Sequence, residues 1–166
     1  MLDKDDGTRP ERRTALIAKE LHRYNICIAA LQETRLEGQG QVQEKEFTFF
    51  WSGRVDTRRE AGVAFAISNK FASKLTSLPT GLSERIILLR APIGDDRYLT
   101  IINVYAPTMM YSDEEKEAFY EKLAEAVDKV PREDKLLILG DFNARVGQDH
   151  ETYDSTLGKF GKGKKI

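Results

Sequence analysis

The chain carries a single cysteine, Cys27, and two histidines, His22 and His150, among 166 residues. One cysteine excludes an intramolecular disulfide framework, and so few soft ligands leave no zinc signature. No hydrophobic run approaches the length of a membrane span or a signal peptide. Charge of one sign is lacking too. The 26 Lys plus Arg against 27 Asp plus Glu leave a net charge of -1, so attraction of a polyanion must rest on local patches. These absences lead us to expect a reduced, intracellular protein, nuclear or cytoplasmic, with no membrane partner and an undefined oligomeric state. No repeat and no linker divides the chain. What is present is 40% hydrophobic residues, enough for one core but short for two.

Hydrophobic periodicity orders the elements. Thr8 and Glu11 have capping-box spacing with Pro10 in the first turn, and Leu16, Ile17, Leu21 and Tyr24 recur at helical intervals, which predicts a helix over residues 9–24. Residues 26–31 then read as a buried strand, with Cys27 as a small core residue, and end on Gln32, Glu33 and Thr34. Two aromatic and β-branched stretches, 47–51 and 62–67, read as neighbouring strands joined by a loop containing Arg54, Arg58, Arg59 and Glu60. Residues 84–93 and 97–105 flank Gly94, Asp95 and Asp96, a hairpin signal, with Asn103 and Tyr105 on one face. Ser112 and Glu115 form a second capping box ahead of a helix bearing Phe119, Leu123, Ala126, Val127 and Val130, which Pro131 stops. Helices and paired strands in this order predict two packed sheets flanked by helices.

The last element is the most informative. Leu136 to Leu139 is an unbroken apolar run that reads as a strand covered on both faces, and Gly140 then frees the backbone. If extended geometry persists, Asp141 and Asn143 point to one side and Phe142 back into the core. Three strand ends therefore carry polar groups: Glu33, Tyr105, and Asp141 with Asn143. A carboxylate just past a strand also serves as a helix cap or turn former, but recurrence at three ends argues for a shared site. Glu33 and Asp141 offer hard oxygen ligands of the kind Mg²⁺ takes, and an amide and a phenol beside them suit phosphate chemistry.

Three segments, Leu31-Gln32-Glu33-Thr34-Arg35, Asn103-Val104-Tyr105-Ala106-Pro107 and Gly140-Asp141-Phe142-Asn143, resemble in this order motifs of the endonuclease/exonuclease/phosphatase superfamily. Phe49 to Arg54 and Asp141 to Gly147 look closer still to its craniofacial development protein 2-like and LINE-type retrotransposon endonuclease branch. The resemblance runs from about residue 9 to about residue 161. It implies a four-layered α/β sandwich and a Mg²⁺-dependent enzyme, Mn²⁺ being an alternative ion, that cuts phosphodiester or phosphomonoester bonds, with nucleic acid, DNA in preference, as the partner. By the same resemblance Glu33 would hold the metal. Tyr105 would bond the scissile phosphate or assist the leaving group, Asp141 would position or deprotonate water, and Asn143 would bind phosphate oxygens. Arg35 would brace the carboxylates at the substrate, and Arg58 and Arg59 would contact flanking phosphates.

Two motifs of the family have no counterpart here: an asparagine on a strand before the first helix, and a late Ser-Asp-His. The expectation is thus a partial single domain over residues 1–166 with a frayed tail at 158–166, and little turnover by the chain alone. Asp149-His150 lies too near Asn143 to replace the late motif, and reads as a loop, as His22 reads as a solvated helix residue. Two other readings stay open: a non-catalytic remnant of a mobile-element endonuclease that exposes apolar sheet surface to a partner, and a phosphatase for inositol lipids or small phosphates.

Overall fold

The structure, a computed structural model, describes residues 13–55 and 60–144. The first capping box, Arg58, Arg59, Asp149, His150 and the tail lie outside the described residues. Helix α1 (Arg13–Arg23) is followed by strands β1 (Ile28–Gln32), β2 (Gln39–Gln43), β3 (Phe47–Ser52) and β4 (Val63–Ser68). A short helix α2 (Asn69–Ala72) leads to β5 (Thr80–Ser83), β6 (Ile86–Gly94) and β7 (Arg97–Tyr105), then helix α3 (Asp113–Asp128) and strand β8 (Lys135–Asp141). The strands form two four-stranded sheets, in the orders β1-β4-β3-β2 and β5-β6-β7-β8. All pairs are antiparallel except β7 with β8, which α3 connects as a parallel crossover.

Alternation along the strands sorts side chains into three cores. Phe65, Ile67, Ile87, Leu89 and Ile101 meet between the sheets, with Ile28 and Ala30 of β1. Phe47, Phe49 and Ala66 point the other way and receive Ala18, Ile17 and Leu21 of α1. Ile86, Ile102 and Val104 receive Phe119, Leu123 and Ala126 of α3. The layers are therefore helix, sheet, sheet, helix, the α/β sandwich that the sequence implied. The capping box at α3 closes as expected: Glu115 N–H donates to Ser112 Oγ at 3.3 Å and Ser112 N–H to Glu115 Oε2 at 3.1 Å.

Four expectations are corrected. Strand β8 is not covered on both faces: it ends its sheet among the described residues, and Leu136 and Leu137 are 40% and 43% exposed. Extended geometry stops at Asp141, because Asn143 is left-handed (φ 47°), and Phe142 is 38% exposed instead of returning to the core. Cys27 precedes β1 and is exposed. Leu16 on α1 faces outward and Tyr24 lies beyond its end and is exposed, so the buried stripe is narrower than the spacing suggested. Strands β2 and β5 were not legible at all.

Candidate active site

The three polar strand ends meet at one mouth between the sheets, and the register explains why. Tyr105 lies directly opposite Asp141 in the parallel pair, and Arg85 lies opposite Tyr105 one step beyond the Ile86 and Val104 pair. Tyr105 N–H donates to the Arg85 carbonyl at 2.9 Å, and Ala106 N–H to the Asp141 carbonyl at 2.8 Å. By the period of two, these residues share the face that carries Ile87, Ile101 and Leu139 toward the other sheet. Arg85, Tyr105 and Asp141 thus form a row across three strands.

Glu33 comes to that row from the opposite sheet. The β1–β4 ladder ends at Gln32 opposite Val63, and pairing resumes with Thr34 N–H donating to the Gly62 carbonyl at 3.0 Å. Glu33 is the extra residue of a bulge, with left-handed φ of 52°, a conformation rare outside glycine and found where structure re-aims a side chain. Gly62 makes this possible. A Cβ there would run into the Thr34 hydroxyl, and its own φ is 109°. Glu33 pairs with Arg35, and the two line a cleft of about 290 Å³ with Glu60, Arg85, Tyr105 and Tyr111.

Beneath Glu33 lies a feature that the motifs contained but did not explain. Asn103 is wholly buried, and its amide Nδ2 donates to the Leu31 carbonyl at 3.1 Å and the Ala64 carbonyl at 2.9 Å. Its Oδ1 accepts from Gln32 Nε2 at 2.6 Å. A residue of one sheet thereby ties down two strands of the other, immediately before Glu33 and two residues before Tyr105. A fully bonded polar group of this kind fixes geometry that apolar packing leaves free to slide.

At the other lip, Asn143 N–H donates to Asp141 Oδ1 at 2.9 Å, an Asx turn, and Asn143 Nδ2 donates to the Ala106 carbonyl at 2.7 Å. Gly140, at φ 142°, packs so closely on β7 that a Cβ would overlap the Val104 carbonyl oxygen. Its role is close approach, beyond the simple freedom inferred from sequence. The structure therefore brings Glu33, Arg35, Tyr105, Asp141 and Asn143 to one mouth, while Arg58 and Arg59 lie outside the described residues.

Burial raises the Tyr105 phenol above its ordinary range, and the Glu33 and Asp141 carboxylates add to the shift against an opposing effect of Arg85. At neutral pH the phenol is a proton donor. Hydrogen bonding to Glu33 in turn holds Arg35 firmly protonated. Among the described residues no three acidic, histidine or cysteine side chains converge into a metal cage. A Mg²⁺ site does not need one, since that ion takes one or two carboxylates and completes its shell with water and substrate oxygens. Two carboxylates, both felt by one phenol, match that donor chemistry.

Sequence reasoning missed Arg85, Tyr111 and the binding role of Gln32 and Asn103. Arg85 stands just before the apolar run of β6 and is only 7% exposed. Its Nη1 donates to the Tyr105 carbonyl at 3.1 Å, and its guanidinium lies 4.8 Å from the Tyr111 ring centre and 5.5 Å from that of Tyr105. Only the pairing across β6 and β7 reveals it.

Comparison with known proteins agrees with this geometry. The sequence pattern of the Endonuclease/Exonuclease/phosphatase family matches residues 2–160. Craniofacial development protein 2 of Bos taurus is 30% identical over 148 residues, 89% of this chain and 24% of that protein. The protein of the same name from Tragulus javanicus is 30% identical over 148 residues, 89% of this chain and 25% of its own length. The transposon TX1 uncharacterized 149 kDa protein of Xenopus laevis is 28% identical over 142 residues, covering 83% of this chain and 10% of that protein. The chain thus spans about a quarter of the length of the craniofacial development relatives. With three motif strand ends gathered at the mouth of a two-sheet sandwich, and a family match over residues 2–160, the chain belongs to the endonuclease/exonuclease/phosphatase family.

Proposed function

We propose that this domain is a Mg²⁺-dependent phosphodiesterase that cuts nucleic-acid strands, DNA in preference, at the mouth between its two sheets. The observation that carries the reading is the row Arg85, Tyr105, Asp141, of which Arg85 and Tyr105 line one cleft with Glu33. Family members are generally hydrolytic phosphoesterases that use divalent metals, and likeness to a protein named for a transposon favours a nucleic-acid substrate over a small phosphate.

The residues divide the work by their chemistry. Glu33 would hold Mg²⁺ or Mn²⁺, which would supply positive charge to the phosphate oxygens. Arg35 orients the Glu33 carboxylate. Asp141, fixed by its turn with Asn143, accepts the proton of the attacking water. Tyr105, kept protonated, donates a hydrogen bond to the scissile phosphate or the leaving oxygen. Asn143 contacts the phosphate oxygens from the same turn.

The test is incubation of the purified chain with abasic-site and supercoiled DNA, with and without Mg²⁺, beside Asp141→Ala. Weak nicking, visible at high protein concentration, that needs the metal and disappears in Asp141→Ala is expected. Nicking indifferent to both would assign it to a contaminant, and no nicking at high protein concentration would remove the enzymatic reading. One observation favours a second reading in that event. The exposed Leu136 and Leu137 on β8 suit a non-catalytic module that meets a protein partner along that strand.

A further inference from the structure

Arg85 raises a question that the catalytic cleft does not answer. The residue as a whole is only 7% exposed, and among the described residues no carboxylate pairs with it. One bond to a carbonyl leaves most of the five guanidinium donors open, and none of them is sealed from solvent, so they face the compartments that Arg85 lines. Arg85 and Tyr111 also wall a second compartment, of about 240 Å³, next to the cleft. Lys122 of α3 opens onto it, with Arg54 and Ser83. Two acidic residues border it as well, Glu84 and Glu115, of which Glu115 is committed to the cap of α3.

We propose that Arg85 and Lys122 form a second phosphate subsite, which holds the phosphodiester adjacent to the one cut at Tyr105. The proposal rests on the nucleic-acid reading above and names how the strand continues. A strand leaving the cleft crosses the shared wall, where the guanidinium fork can take two phosphate oxygens and the Lys122 ammonium adds a point charge.

The experiment is fluorescence anisotropy of the full chain with a labelled short DNA duplex in EDTA, titrated across NaCl concentrations. Lys122→Ala should lower the slope of log affinity against log salt by about one. Lys129→Ala, the same charge change on the same helix at its far end, should leave the slope at its wild-type value. Arg85→Lys keeps the charge but loses the fork, and should weaken binding roughly tenfold, the loss of one charge-assisted hydrogen bond. Circular dichroism checks folding, and Lys122→Ala decides the matter if Arg85→Lys proves unstable. Wild-type binding with Lys122→Ala within about twofold and at the same slope would overturn the subsite and leave the nucleic-acid reading standing. Absence of salt-dependent binding by the wild-type chain would bring down both, a result distinct from the first.

Discussion

The floor and the rim of the mouth are made of consecutive residues that answer to opposite forces. In the floor, Gln32 donates to Asn103, and Asn103, which has no exposed surface, donates in turn to two carbonyls of the facing sheet. Glu33, one residue on, stands in a bulge with left-handed backbone, half-exposed and paired with an equally exposed Arg35. A buried amide contributes stability only if every bond is made, whereas an exposed ion pair contributes little and stays available for chemistry. The contrast implies that stability and activity can be removed separately at adjacent positions.

The largest effect is expected in the floor. Asn103→Leu keeps the branching of the side chain but is bulkier, makes none of the three bonds and strands two carbonyls and the Gln32 amide, and should cost about 3 kcal/mol or more in urea unfolding. A loss below about 1 kcal/mol would mean that the floor is not what joins the sheets. Adding Gln32→Leu should cost less than the sum of the two single changes, since they share a bond.

Next comes Gly140→Ala, at the root of the other lip. The added methyl meets the Val104 carbonyl and the backbone is left-handed, so a cost of about 2 kcal/mol follows, centred on the β7–β8 pair. Loss of nicking should accompany it, because Asp141 is the next residue. A stable, fully active Gly140→Ala protein would show that the rim does not depend on this close approach.

How much of this was legible follows from what each signal encodes. The motif strand ends, the hairpin around Asp95 and Asp96, and α3 with its capping box were readable because turn and cap chemistry is local. Two equally apolar runs, by contrast, ended in opposite places. Strand β4 is central and its Val63 to Ile67 are buried, whereas Leu136 and Leu137 on β8 lie at a sheet end and are exposed. A run of apolar residues names a strand but not its position in a sheet. Strand β2, Gln-Gly-Gln-Val-Gln, carries almost no strand signal and forms because β3 offers it an edge. At the site, residue types gave Glu33, Tyr105 and Asp141, but Arg85 and the bond between Gln32 and Asn103 arise from pairing between distant strands, which no local spacing contains.

A smaller and pH-dependent effect is expected at the opposite end of the second sheet. Arg90 donates to both oxygens of Asp134, at 2.7 and 2.8 Å, and Thr100 Oγ1 donates at 2.7 Å. The Arg90 bonds, and then that of Thr100, hold the Asp134 carboxyl below its ordinary value of 3.8. The folded state therefore binds the proton less readily than the unfolded one, so this stabilisation is complete above the ordinary value and is lost as pH falls through the lowered one. Asp134→Asn should flatten the acid limb of stability against pH while leaving nicking at neutral pH intact. If the acid limb is unchanged, the clamp does not govern it.

The smallest effect on stability belongs to Arg35→Ala in the rim. The guanidinium is half-exposed and its partner equally so, hence solvent competes for both and the urea midpoint should not move measurably. Glu33, however, loses the group that orients it, in a backbone conformation that already departs from the strand. Metal-dependent nicking should therefore fall, and raising the Mg²⁺ concentration should restore part of it, since a loosened ligand weakens affinity more than it alters the chemistry of the bound ion. A lowered urea midpoint with unchanged nicking would reverse the assignment, placing Arg35 with the floor as part of the scaffold.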